Sequence, residues 1–190
     1  MLKKDNIKIF INEIYSKPPR KNCETNKTMI RSIDDTWSSD LLDMNDYRPK
    51  NNKGYRYIFV VIDNFSKLGW KIPLKNKYAQ SITDAFSHIV KSSKRKPNLL
   101  DTDDGQEYVN KIFNEFLINN NIKIYSRYTD KGAVFAERFD RTIGNLLKKP
   151  VFETGNAIWL SELPSVINKY NNTIHSSTKM TPIQASKKIK

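Results

Sequence analysis

The longest unbroken apolar stretch of the chain is "YIFVVI", Tyr57 to Ile62. Both alternating sets are apolar, with Tyr57, Phe59 and Val61 on one and Ile58, Val60 and Ile62 on the other. Such a strand belongs inside a sheet that is covered on both faces. "TWSSDLLDM" (36–44) precedes it and "LGWKIPL" (68–74) follows, close enough for a hairpin. Pro73 cannot donate to a strand ladder, which places that third strand at an edge or makes it end there. The period then changes. In "AQSITDAFSHIVKSS" (79–93), Ile82, Phe86, Ile89 and Val90 recur at helical spacing. His88 falls off that stripe and is expected to be an exposed helix residue, not a ligand. "NLLDTD" supplies a fourth strand, and Val109, Ile112, Phe113, Phe116 and Leu117 predict a helix from about Glu107 to Asn119. "IKIYSRY" (122–128) is a fifth strand. Further helices are predicted from about Val134 to Lys149, from about Leu160 to Tyr170, and from Pro182, where Thr181 supplies the N-cap. Pro164 either sits in the first turn of its helix or kinks it.

The predicted order is β-β-β-α-β-α-β-α-α-α. A meander followed by two αβ units gives an α/β fold, a five-stranded mixed sheet with helices on both faces. Residues 1–35 stand apart. "YSKPPRKNCETNKT" carries adjacent prolines and little periodicity, so an arm or linker is expected ahead of a core at 36–190. "KDNIKIFINEIY" within it is predicted to form a short helix.

Charge adds what the pattern leaves open. The chain has 33 Lys+Arg against 20 Asp+Glu, a net charge of +13, which points to a nucleic-acid partner. No apolar run approaches a membrane span, and "MLKKDNIKIF" lacks the features of a signal peptide. The single cysteine, Cys23, excludes an internal disulfide and suits a reducing, intracellular compartment. With His88 and His175 it makes three soft ligands, too few for a structural zinc site. "SSKRKP" (92–97) is a basic loop, either a nuclear-import signal or, more ordinarily, a solvated turn.

Against this basic background "LLDTDDGQEY" (99–108) gathers Asp101, Asp103, Asp104 and Glu107. Asp104-Gly105 is turn chemistry, and Glu107 suits the start of a helix. Asp101 and Asp103 lie on one side of the strand, and Asp40 is a similar acid in "SSDLL". If the first strand lies beside the fourth, Asp40 and Asp103 meet near mid-sheet. Their repulsion is relieved by a divalent cation, and Mg²⁺ prefers such carboxylate oxygens. Glu137 is the candidate third acid. It lies about 200° around its helix from Phe139, off the stripe of Phe135, Phe139, Ile143 and Leu146, with Arg141 and Lys148 following on its side. On spacing alone an ordinary Glu–Arg i,i+4 pair explains it better. Asp101 is left without a role.

Four motifs, in order, change those odds: "TWSSDLLDM", "LDTDDGQEY", "GAVFAERFDRTI" and "YNNTIHSSTKMTPIQA". Together they resemble the catalytic core of retroviral-type integrases, with the nearest likeness to those of Maverick/Polinton DNA transposons and virophages. The likeness runs from about "YSKPPRKN" to the C-terminus. It implies a ribonuclease H-like fold, with Asp40, Asp103 and Glu137 as catalytic acids and ligands of two Mg²⁺ (or Mn²⁺) ions. It implies 3′-end processing and strand transfer of mobile-element DNA into target DNA. It further implies that Arg141 contacts the mobile DNA, with Arg138, Lys148 and Lys149 as weaker phosphate contacts. A homodimer or higher multimer is expected, in the nucleus of a host cell or associated with a virus. The ligand count departs from the His/His/Cys/Cys zinc module that family members often carry, and no tail is long enough for their small C-terminal DNA-binding domain. A fragment containing the core, or a reduced relative, is therefore expected. Two other classes stay open: a ribonuclease H-like nuclease that only cuts, and a catalytically silent, domesticated DNA-binding derivative.

Overall fold

Apolar side chains on both faces put β2 (Tyr57–Asp63) inside a five-stranded sheet, with Ile58, Phe59, Val60 and Val61 fully buried. The computed structural model describes residues 30–47, 49–103, 105, 107–126, 134–154 and 158–187. β1 (Thr36–Asp43), β3 (Gly69–Leu74), β4 (Leu99–Thr102) and β5 (Lys123–Ser126) complete the sheet in the order β3-β2-β1-β4-β5. β1 to β3 form the antiparallel meander, and β4 and β5 join in parallel. Pro73 lies on the edge strand β3, as its missing donor requires.

Alternation along the inner strands divides the interior into two cores. Trp37, Phe59, Val61 and Leu100 pack against α1 (Ala79–Ser93) and α2 (Lys111–Asn119) through Ile82, Phe86, Ile89, Phe113 and Leu117. Ile58, Val60 and Ile62 face the other way, onto Ala136, Phe139, Ile143 and Leu147 of α3 (Val134–Thr154) and Val166 and Tyr170 of α4 (Leu163–Asn171). A last short helix, α5 (Pro182–Lys187), follows. Its N-terminus is a reciprocal cap: Thr181 Oγ1 accepts from the Gln184 N–H at 3.2 Å, and Gln184 Oε1 accepts from the Thr181 N–H at 3.1 Å. Pro164 sits in the first turn of α4. No helix among the described residues is long and apolar enough to cross a membrane.

Several boundaries differ from those predicted. α2 begins at Lys111, not near Glu107, because Asn110 caps it by accepting from the Phe113 N–H at 2.8 Å. Glu107 therefore lies in a turn, and Val109 and Ile112 are exposed instead of joining the apolar stripe. α3 runs past Lys149 to Thr154. The basic loop "SSKRKP" is neither solvated nor free at its centre. Arg95 bridges Asp34 and Asp63, each at 2.7 Å, with its side chain only 18% exposed. The predicted helix in residues 4–15, most of the arm, Asp104, and the side chains of Lys148 and Lys149 lie outside the described residues.

The seating of α3 on the sheet depends on one glycine. A Cβ on Gly69 would overlap the Phe139 ring, which therefore occupies the space of a side chain. Asn171 of α4 covers the same point of the edge strand, accepting from the Gly69 N–H at 3.1 Å and donating to its carbonyl at 2.9 Å. Gly69→Ala must push the ring out of a packed core. The expected loss is about 1–3 kcal/mol, read as a lower urea midpoint at unchanged slope.

Candidate active site

The parallel ladder of β1 and β4 pairs Thr36 with Leu99, Trp37 with Leu100 and Ser38 with Asp101. Ser38 Oγ donates to Asp101 Oδ2 at 3.1 Å and accepts from Asn64 Nδ2 at 2.8 Å. Asp101, which the sequence left without a role, is thus a buried structural acid bonded to a hydroxyl. Two residues further along each strand, on the same face, come Asp40 and Asp103. Asp40 is still within β1, and Asp103 is the first residue beyond β4, where its Oδ1 accepts from the Gly105 N–H at 3.2 Å. Both are half-buried. Asp103 stands at the C-terminal end of β4, where open α/β sheets place ligands, and Asp40 lies in the middle of β1 with three strand residues still to follow.

Tyr108 reports how close these acids are. Its ring is buried in the α1–α2 core. Burial raises its pKa well above the ordinary phenol value, and the charges of Asp40, Asp103 and Glu107 add to that rise. Ser39 acts in the opposite sense, although the two buried hydroxyls miss hydrogen-bonding geometry. A neutral phenol therefore lies within the field of three carboxylates.

α3 supplies the remaining acids. Glu137 is exposed in its first turn, and Asp140 is buried one turn further on. Asp40 pairs with Val60 and Val60 with Lys71, so the three form a row across β1, β2 and β3. Val60 belongs to the core beneath α3, so the whole row faces that helix. There Lys71 Nζ donates to Asp140 Oδ1 at 2.9 Å, with the lysine side chain fully buried and the aspartate side chain 9% exposed. Burial raises Asp140 to about 7; the Lys71 ammonium opposes this, and the Asp40 charge reinforces it. Burial lowers Lys71, while Asp140 and then Asp40 hold it up. Lys71 also lies 4.7 Å from the Phe139 ring centroid.

The structure therefore brings Asp40 and Asp103 to one site, with Glu137 on the helix beside it. The helix acid in electrostatic contact with Asp40 is Asp140, and its counter-ion is Lys71. Sequence reasoning missed both. The available signal was a charge on the buried side of each element: Asp140 lies four residues after Ala136 and three before Ile143, and Lys71 alternates with Gly69 and Pro73 on the face opposite Trp70 and Ile72. Among the described residues no three His, Cys, Asp or Glu side chains converge closely enough to hold a metal ion. The donor chemistry nevertheless suits a hard divalent cation, since Asp40, Asp103 and the exposed Glu137 offer only carboxylate oxygens. Arg138 and Arg141 are exposed on α3 and line a cavity of about 420 Å³.

Residues 33–131, just over half of the chain, match the Integrase core domain family. The chain belongs to that family. The matched span of this integrase core contains Asp40 and Asp103 and ends before Glu137. A transposon-derived protein of Caenorhabditis elegans is 26% identical over 138 residues, 73% of this chain and 48% of the relative. The Gag-Pol polyprotein of feline leukemia virus is 28% identical over 122 residues, 63% of this chain and 7% of the polyprotein. The Tf2-3 transposon polyprotein of Schizosaccharomyces pombe is 28% identical over 151 residues, 78% and 11% of the two chains. The integrase core thus spans about half or less of these curated relatives. Among solved structures, the HTLV-2 integrase catalytic core domain in complex with magnesium superposes with a TM-score of 0.67 at 21% identity, covering 82% of this chain and 98% of that one. The simian T-cell lymphotropic virus intasome gives 0.76 at 16% identity, covering 91% and 61%. These matches establish the ribonuclease H-like fold. The finer likeness to Maverick/Polinton and virophage integrases is not shown by these relatives and rests on the four motifs.

Proposed function

We propose that this integrase core catalyses divalent-metal-dependent trimming of the 3′ ends of mobile-element DNA and joins those ends to target DNA. One observation supports the reading: Asp40 lies two residues beyond Ser38, and Asp103 two beyond Asp101, its partner in the parallel ladder, on the sheet face that α3 covers. These three residues would hold Mg²⁺ or Mn²⁺, two ions in the active complex. When bound, such ions supply an activated water or DNA 3′-hydroxyl and stabilise the leaving oxygen during in-line attack on a phosphodiester. The chain's own residues bind and orient. Exposed Arg138 and Arg141 present guanidinium groups to phosphate, and Lys148 and Lys149 follow on the same helix. The buried Lys71 balances the charge of Asp40 and Asp140. The magnesium named with the HTLV-2 core and the intasome named with the simian virus support the metal and a DNA-bound multimer. Work on DNA in a nucleus or a virus-associated complex fits the net charge of +13.

The test is incubation of short duplexes bearing recessed 3′ ends with a target plasmid in Mg²⁺ or Mn²⁺. Joined products are expected. Nicks without joining would favour a nuclease that only cuts, and binding without either reaction a silent derivative. Binding itself should be sequence-tolerant, with log K falling against log salt by about 0.9 per phosphate neutralised. A flat titration would exclude a phosphate-binding surface.

A further inference from the structure

Glu137 and Asp140 lie on one flank of α3, and a basic cleft lies on the other. At about 100° per residue, Phe135, Arg138 and Thr142 share that second flank, and Arg141 rides on the outer crest. Facing them across the cavity of about 420 Å³ are Lys67 from the β2–β3 turn, Tyr170 from α4 and His175 from the loop after α4. No carboxylate is among the lining residues. We infer that this cleft is a binding site for a backbone phosphate of DNA, built by Lys67, Arg138, Arg141 and His175. The inference rests on the integrase reading above and adds a contact region on the far side of α3 from the acids.

Lys67 carries the argument. It is only 8% exposed, in a left-handed turn position at φ 65°. Its Nζ donates to the Asn64 carbonyl at 2.6 Å and lies 4.0 Å from the Phe135 ring centroid. An ammonium has three donors, and among the described residues Lys67 makes no ion pair within 4.0 Å. The one acid that acts on it, Asp63, is committed elsewhere, accepting from Arg95 at 2.7 Å, Ser66 Oγ at 2.6 Å and the Phe65 N–H at 3.1 Å. Burying a cation without a direct counter-ion is costly. That cost shows in its pKa, lowered by desolvation to about 8, with Asp63 opposing the fall and Arg138 adding to it. A phosphate in the cleft supplies the missing negative charge.

The opposite wall is held ready. The His175 N–H donates to the Met180 carbonyl at 2.9 Å, and the His175 carbonyl accepts from the Lys179 N–H at 2.9 Å, which closes the loop. His175 Nδ1 accepts from the Ser177 N–H at 3.2 Å, so the neutral ring carries its proton on Nε2. Burial, then the Lys67 charge, lowers the His175 pKa and keeps that ring neutral. It is a hydrogen-bond donor, not a cation. Ser176 and Ser177 add hydroxyls to the lining.

The experiment is equilibrium binding of a fluorescent DNA duplex across salt and pH. Lys67→Met preserves the stem against Phe135 and removes the charge. It should shallow the slope of log K against log salt by about 0.9, the share of one phosphate, and Arg138→Gln should do the same. His175→Gln should weaken binding at an unchanged slope, as loss of a neutral donor would. Wild-type affinity should fall between pH 7 and 9 as Lys67 loses its proton. Asp63 and Arg138 are the charged groups that act on Lys67; the facing rings of His175, held low, and Tyr170, held high, both by burial, stay neutral across that window. Lys67→Arg, charged throughout, should flatten the fall. Wild-type slopes in folded Lys67→Met and Arg138→Gln would overturn the site. If the wild type joins DNA while these slopes are unchanged, only the cleft fails. If the slopes shift but no DNA is joined, the cleft stands and the integrase reading fails.

Discussion

Asp40→Asn, Asp103→Asn and Glu137→Gln should each abolish strand transfer, in Mg²⁺ and in Mn²⁺, while the protein stays folded. If these carboxylates hold the divalent ions as proposed, removing one should cost several kcal/mol of transition-state stabilisation, which is about a thousandfold or more in rate. The structure explains why folding should survive. The Leu41 N–H donates to Asp40 Oδ1 at 2.7 Å, and the Gly105 N–H to Asp103 Oδ1 at 3.2 Å. An asparagine oxygen can accept both bonds. Glu137 is exposed and has no packing to lose. Asp40→Asn removes both a like charge beside Asp140 and an opposite charge beside Lys71, so the melting temperature should hold. Parallel joining assays and thermal melts decide the matter. Full strand transfer by any of the three would remove that residue from the site, and a large fall in melting temperature would mark it as structural.

The parts of this site legible in the sequence are those set by local period and strand alternation. Two apolar faces placed β2 inside the sheet. Alternation put Asp101 and Asp103 on one side of their strand, and the parallel pairing of β1 with β4 carried Asp40 to the same place. What was not legible is pairing between distant residues. Nothing near Asp101 announces that its partner is Ser38, and nothing near Arg95 announces Asp34 or Asp63. Periodicity also misled at Val109, where Asn110 started the helix later than the apolar pattern suggested. The third acid shows the limit most clearly. Helical geometry identifies Glu137 as lying off the apolar stripe, but it cannot say that Asp140, on the buried side, meets a lysine from an edge strand.

That lysine gives the largest expected effect on stability. Lys71→Met leaves Asp140 buried beside Asp40 with its counter-ion gone. Breaking one half of a buried ion pair typically costs about 3–5 kcal/mol, because the remaining group has lost both its solvent and its partner, and Asp140 must take up a proton to stay buried. Asp140→Leu should cost about as much, since it strands the Lys71 ammonium in the same core. The double variant Lys71→Met/Asp140→Leu removes both charges and keeps apolar volume between Phe139 and the sheet. It should recover most of the loss, because well-packed apolar replacements of buried pairs are often neutral or better. Urea denaturation of the four proteins gives the coupling energy directly. Losses that simply add in the double variant would mean that the 2.9 Å contact is incidental and that each side chain matters for its packing alone. Strong coupling would identify the pair as the device that fastens α3 to the edge strand. In that case the joining activity of the double variant becomes informative. A stable but inactive double variant would show that the charge beside Asp40 serves the chemistry, and a stable, active one that the pair only holds the helix bearing Glu137 in place.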